Sequence, residues 1–491
     1  MLAIYKRELK SYFRSFIGFL FIAVTLFFLG LYFSVYNLMN GYPYFAYVVS
    51  SVTFLFMLTV PILTMRILAE EKRSKTDQLI LTAPVSVGGI VMGKFLALLT
   101  IFAIPVAIIC FYPLIMAQYG SVPMGEAYLS ILAYFLFGMT AIAIGLFLSS
   151  VTESQVIAAV LTFLVLFLGY MMDSICSIIS STGNLLTKLL RCFDLYTPFS
   201  NLLNGTLDVS SIVYYVSVTA LVLFLTVQSI QKRRYSMSVK NLSFSAYSTG
   251  MIAVAVALVV VVNIIMGEMP SSWTAIDMTS QKLYSLTDQT VDYVKNMQDD
   301  VTIYVLVNQD NQDTTLGQTL QRYDDLSDHI TVEYVDPTVN PMFYTQYTTG
   351  NISTNSLIVV SDKRSKVIDY NDVYESSYDF DYSTYSYNTT TTGYDGEGQI
   401  TSALDYVLND DMPKVYMTTG HNELSLSNTF TSALNKENVD YETVNLMDLD
   451  AIPDDAACLF INGATSDFSS DDKDKVIDYL NNGGKVILVT G

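Results

Sequence analysis

RILAEEKRSKTDQLILTAPVSVGGIVMGK, residues Arg66 to Lys94, is the one strongly charged island in the first half of the chain. Residues 15–65 before it and 95–125 after it contain no Asp, Glu, Lys or Arg. Apolar stretches of that length meet the ~20 residues that a helix needs to cross a bilayer, so the island is a connection at a membrane edge. Within it, Asp77-Gln78 leads into Leu79-Ile80-Leu81, and Pro84 stops the run. The pattern predicts a short interfacial helix of about two turns, polar on one side and apolar on the other.

Outward from the island, charge-free windows predict seven spans near 16–37, 44–65, 95–117, 128–150, 154–172, 209–231 and 249–267. Drawn with those limits, no span holds an Asp, Glu, Lys, Arg or His. That pattern favours energy supplied from outside the chain over an ion-coupled mechanism. The N-terminal segment, Arg66–Lys94 and Gln231–Lys240 are basic, whereas loops 38–43 and 118–127 lack Lys and Arg. The positive-inside rule therefore puts the first set in the cytoplasm and residues 268–491 on the far side. Residues 1–15 place Leu2, Tyr5, Leu9, Tyr12 and Phe13 on one helical stripe and Lys6, Arg7, Lys10 and Arg14 on the other. This predicts a basic amphipathic helix on the inner membrane surface.

Charge divides the chain into two halves. Residues 1–266 carry 15 Lys+Arg against 9 Asp+Glu, and residues 267–491 carry 11 against 37. So acidic a second half repels nucleic acid, which is excluded as a partner. In that half, β-rich runs at Val301–Val307, Ile330–Val335, Leu357–Val360, Lys414–Thr418, Thr443–Leu446, Cys458–Ile461 and Lys485–Thr490 alternate with helical patterns. The alternation predicts parallel α/β layers. Asp369–Gly398, rich in Tyr, Ser, Thr and Asp, reads as a long exposed loop.

Two motifs are weighed and set aside. Gly88–Lys94 fits the first seven positions of the phosphate-binding GxxxxGK loop, but Phe95 stands where Ser or Thr must hold Mg²⁺. A Cys nucleophile with a His base would suit an amidotransferase, yet Cys458 falls inside a predicted strand, and the histidines are His329 and His421. Gly420-His421-Asn422-Glu423 follows the end of a strand, where α/β sheets bind ligands, and is a possible ligand loop. The cysteines have no zinc spacing, and a disulfide between Cys176 and Cys192 is left open.

Glu70-Glu71-Lys72-Arg73-Ser74-Lys75-Thr76-Asp77-Gln78-Leu79, with Thr82-Ala83-Pro84 and Gly93-Lys94, resembles the first cytoplasmic loop of type-2 ABC exporter permeases, nearest the gliding-motility (GldF-like) kind. In that family the loop couples the spans to a separate ATPase subunit. The resemblance thus implies coupling roles for Glu70, Glu71, Lys72, Arg73, Lys75, Thr76, Asp77, Gln78, Leu79 and Pro84. The family pattern usually has Gly-Thr and then Glu where this chain has Lys75-Thr76 and Gln78. Lys414–Gly491 is similar to the second half of gliding-motility auxiliary (GldG-like) proteins. It shares KVYMTTGHNE, Ile452-Pro453 and Asp467-Phe468-Ser469, and the likeness implies a Rossmann or amidotransferase-like layer.

The expected architecture is a polytopic α-helical membrane domain followed by an extracytoplasmic α/β domain. Its parts are an interface helix (1–15), a six-span permease (16–231), a cytoplasmic linker (232–248), a seventh span (249–267) and two α/β subdomains (268–400 and 401–491), the last ending as if truncated. The expected function is permease of an ATP-driven ABC-type exporter in the cell membrane. The resemblance implies that ATP and Mg²⁺ reside on a partner ATPase, with no cofactor in this chain and no catalytic residue. It also implies a second permease copy or a homologous permease in the bilayer. The alternatives are a membrane-anchored structural or sensor protein binding a polymer or partner, and a membrane-bound hydrolase.

Overall fold

The computed structural model describes residues 1–77, 85–179, 187, 190–234, 242–267, 269, 274–279, 282–283, 285–307, 312–350, 352–381, 386–409 and 412–490. It forms two units, Met1–Ser285 and Leu286–Gly491.

The first unit is helical. An N-terminal helix α1 (Leu2–Arg14) is followed by α2 (Phe16–Phe33), which a π turn at Ser34–Met39 extends. Next come α3 (Ala46–Thr64), α4 (Arg66–Arg73) and α5 (Val87–Ile109). A short helix at Tyr112–Met116 follows, then α6 (Met124–Val151), α7 (Gln155–Tyr170), α8 (Met172–Ile179), α9 (Thr197–Leu203), α10 (Val209–Arg234) and α11 (Leu242–Gly267). Among the described residues, six helices are long and apolar enough to cross a membrane. There are seven if α7 and α8, bent by 56° at their junction, make one span. The most enclosed span is α6, whose Tyr134, Phe137 and Ile142 pack with Phe56 of α3 and Phe102 of α5 in one core.

The helix ends sort to two sides of this bundle. The α1–α4 contacts, the start of α5 and the end of α6 share one side. On the other, β1 (Thr206–Asp208) pairs antiparallel with β2 (Ala275–Asp277), joining the start of α10 to the chain that follows α11. Helix α7 crosses between the sides. Three residues separate it from the end of α6, and its last turn sets Gly169 O against Leu195 N (3.0 Å) and Tyr170 against Tyr196. By contrast α11 touches α10 through Asn263 to Ser217 (2.9 Å) and Ser248 to Gln228 (2.8 Å) and otherwise exposes apolar side chains.

Span limits differ from the charge-free windows in a telling way. Helix α5 begins at Val87, so Lys94 lies two turns inside a span rather than at its edge. Likewise α4 runs on from α3 after a single break at Met65. A lysine is tolerated inside because its charge is matched there, as described below. The GxxxxGK-like stretch is thus ordinary helix capped by Ser86, whose Oγ accepts from Gly89 N (3.2 Å), and not a phosphate loop. The short helix expected at Asp77–Leu81, with Gln78, Leu79 and Pro84, lies outside the described residues apart from Asp77.

Among its described residues the second unit has two four-stranded sheets and a two-stranded hairpin. The first has the order β4 (Ile330–Tyr334), β3 (Val301–Val305), β5 (Leu357–Val360), β6 (Ser365–Ile368). It is mixed rather than parallel: β3 runs with β4, but β5 opposes both β3 and β6. Alternate residues Val301, Ile303 and Val305 point to the core, where helices α12 (Asp288–Lys295), α13 (Thr314–Leu326) and α14 (Gly396–Leu408) cover them. The stretch expected to be an exposed loop instead forms a hairpin of β7 (Tyr374–Asp381) and β8 (Ser386–Tyr394). Its Tyr and Thr residues favour the extended backbone, which low complexity concealed.

The second sheet is entirely parallel, in the order β10 (Asp440–Asn445), β9 (Lys414–Thr419), β11 (Ala456–Asn462), β12 (Val486–Val489). Helices α15 (Asn428–Lys436) and α16 (Ser470–Asn481) start at Ser427 and Ser469, whose hydroxyls cap Phe430 N and Asp472 N.

Candidate functional site

Helix α4 continues the second span past the bundle, and its residues divide by direction. Arg73, Ser74, Lys75 and Thr76 are exposed, whereas Ile67, Leu68, Ala69 and Lys72 are buried. The helix closes on Lys75, which is left-handed (φ 57°), with Thr76 N on Glu71 O (2.9 Å) and Lys75 N on Lys72 O (3.1 Å). This is a closure that glycine makes most cheaply. The Gly of the resembled pattern falls at this position. Lys75 preserves the turn while adding a charge to the exposed tip.

Behind the tip lies a charge cluster drawn from three helices. Lys94 of α5, fully buried, reaches Glu71 of α4 (2.8 Å), Glu8 of α1 (3.0 Å) and the Ile67 carbonyl (3.0 Å). Arg7 of α1 closes the ring by contacting both Glu8 and Glu71, the latter at 2.7 Å. Two carboxylates thus face two cations, and Lys94 donates hydrogen bonds to Glu8 and the Ile67 carbonyl while pairing in charge with Glu71. Burial pushes the Glu8 carboxyl up, but Lys94 and Arg7 outweigh it and hold Glu8 below the ordinary carboxylate range. Close packing makes the cluster possible. A Cβ on Gly93 would lie 3.0 Å from Met1 O and 3.3 Å from Ile4 Cβ, so glycine lets α1 lie directly on α5.

The segment expected to be an interface helix is helical, with Lys6, Lys10 and Arg14 exposed. Its inward face differs from the expected stripe, however. Tyr12 is buried as the stripe requires, its hydroxyl donating to Leu63 O (2.9 Å), but Leu2 stays exposed and Glu8 is buried. Sequence reasoning missed Glu8, Lys94 and Ser149. Glu8 carried one legible signal, as the sole acid in the first 69 residues. A cleft of about 280 Å³ opens beside the cluster, lined by Arg7, Ser11, Arg66, Glu70 and Thr76 among others. Glu70 is taken up by Arg66 one turn earlier. Glu70, Glu71 and Lys72 therefore have partners within the chain, and Arg73, Lys75 and Thr76 form the exposed part of the segment.

The possible ligand loop of the second unit sits at the carboxyl end of β9. Gly420 has φ 109°, and a Cβ there would lie 2.6 Å from Asn445 Oδ1, so glycine is required. His421 is buried between Glu423 (3.5 Å from Nδ1) and Asp472 (3.3 Å from Nε2), with Phe468 stacked on its ring at 4.1 Å. Its carbonyl accepts from Thr465 N and Ser466 N, both at 3.1 Å. Asn422 is exposed and donates to Ser466 Oγ (3.0 Å). Cys458 pairs in register with Val415, six residues before His421, which sets it roughly 20 Å from the histidine along the strand. Such a separation does not permit Cys–His catalysis. None of the four cysteines is disulfide-bonded, Cys176 and Cys192 included. Among the described residues no His, Cys, Asp and Glu group could hold a metal.

Comparison with known proteins bears on both units. Residues 280–373 match a domain of unknown function (DUF7088). No curated protein matches the chain. Residues 32–230, which hold α3 to α9, the β1 strand and most of α10, match the ABC-2 family transporter protein family. Over those residues the membrane half is similar to the membrane domain of ABC-2 transporters, which supports an ABC-2-type permease.

Proposed function

We propose that the chain is the permease subunit of an ATP-driven exporter of the gliding-motility (GldF-like) kind, fused to a GldG-like extracytoplasmic auxiliary domain. A separate ATPase, which binds ATP and Mg²⁺, docks beneath the α4 segment and drives the spans. The unit works in the cell membrane with a second permease copy or a homologous permease. The observation that carries this reading is the geometry of α4. It extends a span beyond the bundle, presents Arg73, Lys75 and Thr76 outward, and is fastened to α1 and α5 behind them. A segment that is exposed at its tip and anchored at its base can pass an applied displacement inward. In the second unit, the all-parallel sheet order suits a Rossmann or amidotransferase-like layer that binds rather than catalyses.

Two experiments test the reading. A photo-crosslinking amino acid at position 75, in membranes of the source cell, is expected to capture a Walker-A-bearing ATPase identified by mass spectrometry. Capture of lipid alone, or of proteins without a nucleotide site, would count against the exporter. Topology is tested by an engineered cysteine at Met342, which is exposed. An impermeant maleimide is expected to label it in intact cells, over the background of the unmodified chain. Protection until lysis would put the second unit in the cytoplasm and refute that part of the proposal.

A further inference from the structure

We propose that Lys72 is a positioning residue of the exporter, fastening the ATPase-facing segment to the corner between α6 and α7. This rests on the exporter reading above, but it reassigns a residue that the family resemblance would place among the outward contacts. Lys72 is 9% exposed, and its ammonium donates to the Ser150 carbonyl and, at 3.4 Å, to that of Thr152. Those carbonyls are among the last of a 28-residue helix, where no intrahelical donor remains and the helix dipole leaves partial negative charge. An ammonium placed there satisfies carbonyls that are otherwise unpaired and neutralises the helix end.

Neighbouring contacts make this grip directional. Ser149 Oγ accepts from Leu68 N (3.2 Å) and Ala69 N (3.1 Å) and donates to Met65 O (3.1 Å). Ser150 Oγ donates to Ser229 Oγ of α10 (3.1 Å). Glu71 and Lys72, adjacent in sequence, thus pull on different parts of the bundle: Glu71 on α5 and α1, Lys72 on the α6–α7 corner. Because α6 is the most enclosed span and only residues 152–154 separate it from α7, a displacement at that corner is delivered to the centre of the bundle.

The test uses the full chain with its bound ATPase in lipid nanodiscs. An environment-sensitive dye is placed at an engineered Tyr119→Cys, an 81% exposed site, in a background lacking Cys110, Cys176, Cys192 and Cys458. ATP with vanadate is expected to change the dye signal in the unmodified complex and in Lys72→Arg. In Lys72→Met the ATPase is expected to stay bound and hydrolyse ATP while the dye response falls by about tenfold, the size of one lost charge-assisted hydrogen bond. A full response in Lys72→Met, or loss of the ATPase from it, overturns the assignment. The second result would make Lys72 a docking contact. Should Lys72→Met fail to fold, Lys72→Gln is expected to give an intermediate response, and a response equal to that of Lys72→Arg overturns the role of the charge. An unmodified chain that carries no ATPase, or does not respond, sinks the exporter reading itself.

Discussion

Replacing Lys94 with Met is expected to destabilise the membrane half by about 3–5 kcal/mol, the usual cost of removing one partner from a buried ion pair. The effect is large because the cluster is internally balanced. Without the ammonium, Glu8 and Glu71 keep only Arg7 between them, in a site from which Lys94 itself is fully excluded from water. Arginine is not expected to rescue, since its larger planar head must enter a site where Gly93 has already brought α1 against α5. The informative comparison is the triple variant Lys94→Met, Glu8→Gln, Glu71→Gln. Replacing buried charges together with neutral groups of similar volume is often close to neutral, and the remaining Arg7 is half exposed to water, so the triple should recover most of the loss. Thermal unfolding of the detergent-purified chain measures both. A Lys94→Met variant as stable as the parent, or a triple variant as weak as the single, would show that the three groups do not act as a unit.

That cluster also shows where the sequence was legible and where it was not. Hydropathy located the six helices that are long and apolar enough to cross, because lipid removes every alternative to an apolar helix with internal hydrogen bonds. It failed at the limits of the third span, because a charge was taken as a boundary. Lys94 is matched by Glu8, 86 residues earlier, and by Glu71 on a different helix, and no local window contains that pairing. The tip residues Arg73, Lys75 and Thr76 were legible as a charged platform, but the inward turn of Glu71 and Lys72 depends on the phase of α4, set by its continuity with α3. In the second unit, β-rich runs located β3 and the strands of the parallel sheet. The antiparallel placement of β5 and the hairpin β7–β8 were missed, since strand direction is a tertiary choice and the hairpin's Tyr, Ser and Thr mimic a polar loop.

His421 supplies the second large expectation, and it is one of pH as well as of packing. His421→Ala is expected to cost on the order of 2–3 kcal/mol locally, because buried oxygens of Glu423 and Asp472 lose their neighbour and Phe468 loses its stacking partner. Hydrogen exchange of the full chain should show lost protection in residues 415–424 and 456–472, with residues 301–335 unchanged. The pH dependence follows from the two carboxyls. The Ser469 hydroxyl, 2.7 Å away, holds Asp472 below the ordinary range against the opposing effect of burial, and Lys475 and His421 add to it. Burial pushes Glu423 up, but backbone N–H donors, including that of His421 at 2.7 Å, bring it below the ordinary range. A carboxyl depressed in the folded state contributes stability above its unfolded pKa of about 4 and loses it as pH falls through the folded value. Protection around β9 and α16 is therefore expected to hold near neutrality and to decline below about pH 4, the more so as both groups protonate. Asp472→Asn should start less protected and decline less steeply, since one of the two titrating groups is gone. If Asp472→Asn reproduces the parent's pH profile, or His421→Ala leaves exchange in these segments unchanged, the histidine is a passive loop residue. The carboxyl end of the parallel sheet would then be held by its backbone hydrogen bonds alone.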